Sequence, residues 1–306
     1  MTDAPYNAPS SAPSDAPSDA IIAKPPSFMK RIGLDRPWIV IFAGTYLALV
    51  VLVAIFAPLL QPYDHAAQDL FEIRNPPVFM GGDWNYILGS DDLGRDVLSR
   101  VIYGTKISVV IALVGTGIGA VLGSFLGIVA AHFKGWVDDA IMMFVDAQSS
   151  LPFLIFALAV LAFFSGSFWV LVIVVGIDGW ERYARLSRGM TLASESNAYI
   201  ESVRALGVPI YKVYARHLLP NILPALVIQF TINLPGTILL ETSLSFLGLG
   251  VQPPMTSLGQ MLGYGRDYLL QAPWIAIAPG LTIFFITLSI SILGDWLRDH
   301  LDPSLR

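Results

Sequence analysis

The sequence lacks the residue sets that do bond-breaking chemistry. Its four histidines, His65, His132, His217 and His300, lie far apart, and no HExxH or GxSG motif occurs. Cysteine is absent, which excludes disulfides, thiolate catalysis and cysteine-ligated zinc. No Gly-Lys dipeptide occurs, so no Walker A loop can cradle nucleotide phosphates. The polar side chains that stand out sit instead in apolar surroundings. Asp146, Ser149 and Ser150 share one helical face at i, i+3 and i+4; Gln229 and Asn233 share another ahead of Pro235-Gly236, and Glu241 follows. Polar groups inside a membrane are costly and turn toward a bundle interior or a cavity. These side chains therefore either line a solute path or fix helix packing through hydrogen bonds between helices.

Composition supports the membrane setting. Hydrophobic residues make up 55% of the 306 and charged residues only 13%, about half the charged share of a soluble domain. A net charge of −5 argues against a nucleic-acid partner. A bilayer core needs roughly 20 apolar helical residues. Trp38–Leu60, Ile107–Ala131 and Trp274–Leu293 meet this without a charge, and the more polar Ala140–Phe164 and Ile222–Leu249 are also long enough. Phe168–Trp180 is short, and spans only by continuing into Glu181–Leu186 or by beginning before Ser165-Gly166. Six spans follow, and the chain reads as an all-α polytopic membrane protein.

Charge placement orients them. With the N-terminus in the cytoplasm, 13 of the 18 Lys and Arg residues fall on inside segments and 5 outside, so the expectation is N-in and C-in. Residues 1–36 form an expected cytoplasmic tail whose APxx repeat, with Pro5, Pro9, Pro13 and Pro17 in step, forbids a helix and cannot build a core. It does not read as a signal peptide, because Trp38–Leu60 is too long for an h-region. The remaining layout is a first span over 37–60, an outside loop over 61–106, five spans within 107–297 and a cytoplasmic end over 298–306. In the second span Gly115, Gly119, Gly123 and Gly127 form one stripe, the pattern that lets helix backbones approach closely in lipid.

Two loops are large. Residues 61–106 carry seven acids and four bases, and Asp91–Ile107 has helical spacing, with Leu93, Val97 and Val101 on one side. That loop is either a structural lid or a surface that meets a protein or a solute. Glu181–Pro220 reads as an inside segment of helix, sharp turn and helix, and Asp178 as lying near the cytoplasmic surface. Ser196 or Asn197 can cap a helix whose apolar face holds Tyr199, Ile200, Val203 and Leu206, flanked by Glu201 and Arg204. Gly207 suits the position past a helix end, and Pro209 suits the start of the next helix. A helix of this kind lies on lipid or docks on a partner.

These residues carry a family resemblance. Glu201-Ser-Val-Arg-Ala-Leu-Gly207, nine residues, then His217-Leu-Leu219-Pro220 resembles the EAA motif of ABC importer permeases, with Ser202 and Val203 replacing two alanines and His217 replacing an isoleucine. The stretches Leu88–Arg100, Leu244–Pro254 and Gly294–Pro303 resemble the C-type subunit of the dipeptide/oligopeptide/nickel permeases. The resemblance runs from about Arg36 to the end. It implies a type I importer (MetI-like) permease fold in a bacterial inner membrane, beside a second, different permease, two cytoplasmic ABC ATPases and a solute-binding protein. ATP and Mg would belong to the ATPases, and this chain would bind no cofactor. Tyr199, Glu201, Val203, Arg204, Leu206, Gly207, Leu219 and Pro220 would couple to an ATPase, whereas Asp146, Ser149, Gln229, Asn233 and Glu241 are candidates for the path. Peptides are the expected solute. Nickel or another small solute is the alternative within the family, and an ATP-independent secondary transporter or an intramembrane enzyme the alternative outside it.

Overall fold

A computed structural model describes residues 37–164, 167–195 and 197–301. The expected N-terminal tail, Ser196 as a cap and the last five residues lie outside the described residues. Eleven α-helices account for most of the described chain, which contains no strand: α1 Pro37–Leu60, α2 Val97–Phe133, α3 Gly135–Ser150, α4 Phe153–Phe163, α5 Phe168–Ile177, α6 Trp180–Glu195, α7 Ala198–Ala205, α8 Ile210–Val213, α9 Leu219–Phe246, α10 Leu258–Gly265 and α11 Trp274–Leu301. Four helical stretches are long and apolar enough to cross a membrane, namely α1, α2, Ile210–Phe246 and α11; α3 with α4 makes a fifth if the bent pair counts as one span.

Helix ends follow local chemistry. The expected helix over Asp91–Ile107 begins at Val97 instead, because Asp91 ties the preceding residues into a turn. Its carboxylate accepts from the N–H groups of Leu93 (2.9 Å) and Arg95 (3.0 Å), from Arg95 Nε (2.7 Å) and from the buried Arg100 guanidinium. Asp96 then caps α2, accepting from Ser99 N at 2.8 Å. Ala140–Phe164 is not one straight span. Leu151 is extended ahead of Pro152, as a residue before proline prefers, and α3 and α4 meet at a 91° bend. The apolar run Phe168–Trp180 does continue through Glu181–Leu186, but by a second helix. Asp178 is extended and Gly179 adopts φ +82°, a left-handed conformation that glycine tolerates, so α5 ends and α6 starts in a new direction.

The glycine stripe of α2 holds this broken span. A Cβ added at Gly119 would meet the Gly176 carbonyl oxygen at 2.8 Å, one at Gly123 the Trp180 carbonyl oxygen at 2.1 Å, and one at Gly127 the Ala184 carbonyl oxygen at 2.2 Å. The two residue numbers rise together, so α5 and α6 run parallel to α2 with their backbones nearly touching. α6 therefore lies beside the apolar run Ile107–Ala131, although its polar sequence reads as an inside loop. Asp178, expected near the cytoplasmic surface, sits level with Gly119 in the middle of that run.

Apolar packing closes the bundle around this pair. Ile111 of α2, Leu171 and Val175 of α5 and Leu244 of α9 share one core cluster, and Val50, Ile238, Ile283 and Ile286 form another between α1, α2, α9 and α11. The outward face of α1 leaves Ile41, Phe42, Ile55 and Leu59 exposed, as a lipid-facing helix requires. α10, capped by Ser257, packs against α2, α9 and α11.

Gly123→Ala should force α2 and α6 apart. The expected cost is about 1–3 kcal/mol, read as a lower melting temperature in detergent. Gly117→Ala, where nothing lies within 4 Å, should leave melting unchanged.

Candidate functional site

α3 and α6 run side by side and exchange polar contacts along their length. Lys134 Nζ, just before α3, lies 3.3 Å from Glu195 Oε2 at the end of α6. Next, Arg188 grips Asp138 with two parallel bonds, Nε to Oδ1 at 2.5 Å and Nη2 to Oδ2 at 2.6 Å. This is the bidentate geometry that makes arginine–carboxylate pairs strong. Further along, Arg185 Nη2 donates to Asp146 Oδ1 and to Ser149 Oγ, both at 2.9 Å. At the far end Trp180 Nε1 donates to Gln148 Oε1 at 2.5 Å, and Gln148 Nε2 donates to the Ile177 carbonyl at 2.9 Å.

The adjoining flank of α6 reaches α9. Arg182 Nη1 donates to Asn233 Oδ1 at 3.2 Å, and Gln229 Nε2 donates to the same oxygen at 2.9 Å. Arg182 Nε also lies 3.4 Å from Glu181 Oε1. Four of the five expected path residues, Asp146, Ser149, Gln229 and Asn233, thus gather around α6 through Arg182 and Arg185. Sequence reading placed those two arginines in a cytoplasmic loop. The signal that could have found them is their i, i+3 spacing, which puts both on one face of a helix.

Glu241 stands apart. It is two turns further along α9 and fully enclosed, accepting from Ser245 Oγ at 2.7 Å and Ser108 Oγ at 3.4 Å. Ser108 Oγ also accepts from Leu258 N at 3.1 Å. Glu241 therefore joins α2, α9 and the start of α10, and no open face reaches it.

The segment below α6 is built as its sequence suggests. α7 ends, Gly207 takes φ +76°, and Pro209 precedes α8. A π-helical turn over Tyr214–Leu218 then leads directly into α9. Of the expected apolar face only Ile200 is buried; Val203 is half-buried, while Tyr199 is 61% exposed and Leu206 is 82% exposed. Ile210, Tyr211 and Leu219 are exposed as well, and so is Pro220. Glu201 and Arg204 have their backbones within α7.

Hydrogen bonds tie this segment to the helix ends. Tyr199 Oη and His217 Nδ1 are 2.9 Å apart, which fastens α7 to the π turn. Tyr214 Oη donates to Glu195 Oε1 at 2.7 Å and lies 3.0 Å from His132 Nδ1, so a single hydroxyl joins the π turn to the ends of α6 and α2. Asn221 Nδ2 donates to Ser194 Oγ at 3.2 Å. The arrangement offers paired charges on an open helix face, and below it an apolar surface fixed to three helix ends.

Comparison with known proteins fits this geometry. Residues 119–306 match the family described as binding-protein-dependent transport system inner membrane component, and residues 38–77 match the N-terminal TM domain of oligopeptide transport permease C. A glutathione transport system permease protein of Pectobacterium atrosepticum is 37% identical, over 89% of this chain and 89% of that protein. A dipeptide transport system permease protein of Haemophilus influenzae is 33% identical over 85% and 89%, and a di/tripeptide transport system permease protein of Pseudomonas aeruginosa is 36% identical over 85% and 86%. Among solved structures, a chain of the inward-facing MetNI methionine ABC transporter shares the fold, with a TM-score of 0.55 at 20% identity over 67% of this chain and 97% of that one. With a family model covering more than half of the chain, and relatives alike along most of their length, this protein belongs to the binding-protein-dependent inner-membrane permeases of ABC transporters.

Proposed function

We propose that this chain forms half of the path of an ATP-driven importer of di- and oligopeptides and carries the lever that couples the path to its ATPases. The spans are six: α1, α2, the bent pair α3–α4, the broken pair α5–α6, α9 and α11. Both termini face the cytoplasm, residues 61–96 lie outside, and residues 196–218 lie inside. The partners are a second, different permease, two cytoplasmic ATPases that hold ATP and Mg, and a solute-binding protein on the outer side. Peptides are the solutes because the relatives at 33–37% identity are named for dipeptides, di- and tripeptides and glutathione.

The observation that carries the coupling role is the exposed apolar surface of α7 and α8. Tyr199, Leu206, Ile210 and Tyr211 are exposed, yet the Tyr199–His217 bond ties α7 to the π turn and the Tyr214–Glu195 bond fastens that turn to the end of α6. A surface of that kind can take a partner's push and pass it on without bending. ATP-driven closure would then add binding energy that favours one of two packings of the bundle. Glu201, at the EAA position, together with Val203 and Arg204, would sit in a cleft of the ATPase, with Gly207, Leu219 and Pro220 setting the shape of the turn.

Two experiments test the lever. Co-purified from detergent with its partner subunits, the wild type should bring down the ATPases, and Glu201→Arg combined with Gly207→Pro should not. Equal recovery of the ATPases, or peptide uptake into liposomes without nucleotide, would sink the proposal. Tyr214→Phe keeps the ring but removes the bonds to Glu195 and His132, at a cost of about 1 kcal/mol. Hydrogen exchange over residues 197–218 should speed up roughly fivefold, and peptide uptake per ATP should fall while the ATPases stay bound.

A further inference from the structure

Charge at membrane depth identifies an open face that lipid cannot cover. Tyr183 and Ala184 of α6 meet Gly123 and Gly127 of α2. These glycines lie eight and four residues inside the end of the Ile107–Ala131 run, or about 12 and 6 Å at helical rise. Arg182 and Arg185 are therefore level with the apolar part of α2. Their side chains are nevertheless 53% and 45% exposed, and that of Asp146 is 69% exposed. Ionised groups at this depth face a bundle interior or water rather than hydrocarbon. The face shared by α3 and α6 is therefore the one that looks into the path.

The pairing on that face constrains what can pass. Asp146 balances Arg185, while Arg182 has Glu181 and Asn233. A solute with one charge can take over only one member of a pair and leaves the other without its partner. A solute with both charges can replace both partners, and an exposed ion pair yields readily because it is worth little by itself. The spacing suits a short peptide. Arg182 and Arg185 are neighbours at i, i+3, roughly 5–6 Å apart at Cβ, so both guanidinium groups can reach one peptide carboxylate, while Asp146 beside Arg185 offers the opposite charge to its ammonium.

We propose that Asp146, Arg182 and Arg185 form a substrate station for zwitterionic peptides, with the ammonium on Asp146 and the carboxylate in the fork between Arg182 and Arg185. The station rests on the importer reading and adds its solute contacts. Ser149 supports it from the α3 side, and Gln229 supports it by holding Asn233 toward Arg182.

The test uses the complete transporter in proteoliposomes with its binding protein, a radiolabelled dipeptide and ATP. Arg185→Gln and Asp146→Asn should each lower uptake per ATP hydrolysed about tenfold, while the ATPase stimulation by loaded binding protein stays at the wild-type level. The double variant separates the station from a mere latch between α3 and α6. A latch works again once both charges are gone, whereas a station stays impaired. Arg185→Lys, which keeps the charge, should recover part of the uptake with a raised KM. Wild-type uptake in the single variants, or recovery in the double variant, overturns the station. Failure of the importer reading would show separately, as wild-type uptake that ignores ATP, and would remove the station with it.

Discussion

The structure depends on the close approach of α2 and α6. A helix as polar as Trp180–Glu195 cannot lie in lipid by itself. It lies beside the apolar run of α2 because Gly119, Gly123 and Gly127 let its backbone settle there, where any Cβ would collide with a carbonyl oxygen. Apolar burial between helices gives little driving force in lipid, so dispersion contacts at this distance and polar links must hold the pair. Its buried face, with Tyr183, Ala184 and Ser187, is given over to α2. Arg182, Arg185 and Arg188 are left on the remaining faces, toward α3 and α9. The position of the polar groups follows from the glycines.

That geometry also explains what the sequence could and could not disclose. The long apolar runs and the glycine stripe are periodic signals, and the structure builds helices on them where they are expected. The bends do not announce themselves in the same way. Pro152 and Gly179 are visible as breakers, but hydropathy averages across them, so Ala140–Phe164 read as one straight span and Phe168–Trp180 as one helix. α6 carries no such signal, because its composition is that of a solvated helix. Only its neighbour keeps it in the bundle, and no local pattern reports a neighbour. The charge asymmetry behind the expected orientation remains. With Arg182, Arg185 and Arg188 removed from the inside count, ten basic residues remain there against five outside.

The path candidates separate for a related reason. Asp146, Ser149, Gln229, Asn233 and Glu241 all read as polar residues within spans. The bend after Ser150 stops α3 beside Arg185, and α9 passes Arg182 at Asn233, so four of the five converge on one helix. Glu241 lies about 12 Å further along α9 and meets serines of α2 and α9 near the start of α10. A carboxylate enclosed among hydroxyls fixes helices, and one left half-open beside an arginine can exchange partners. Burial separates Glu241 from Asp146 where residue type could not.

The same helix that carries Arg182 and Arg185 ends at Glu195, which accepts the Tyr214 hydroxyl and faces Lys134. Under the proposed coupling, a displacement of α7 and α8 reaches α6 through that joint. What yields next is decided by relative strength. The α2–α6 backbone contact runs from Gly119 to Gly127, about two helical turns, and leaves no slack, whereas the upper α3–α6 contact at Asp146 and Arg185 is an exposed pair of little individual worth. The bidentate Arg188–Asp138 pair lies between the moving end and that exposed pair, and it favours rotation about this point over wholesale separation. A pull at the cytoplasmic end should therefore move α2 and α6 together and open the α3–α6 face at Arg185. Under the proposed path, an exposed polar contact is thus placed where a passing solute would need it to give way.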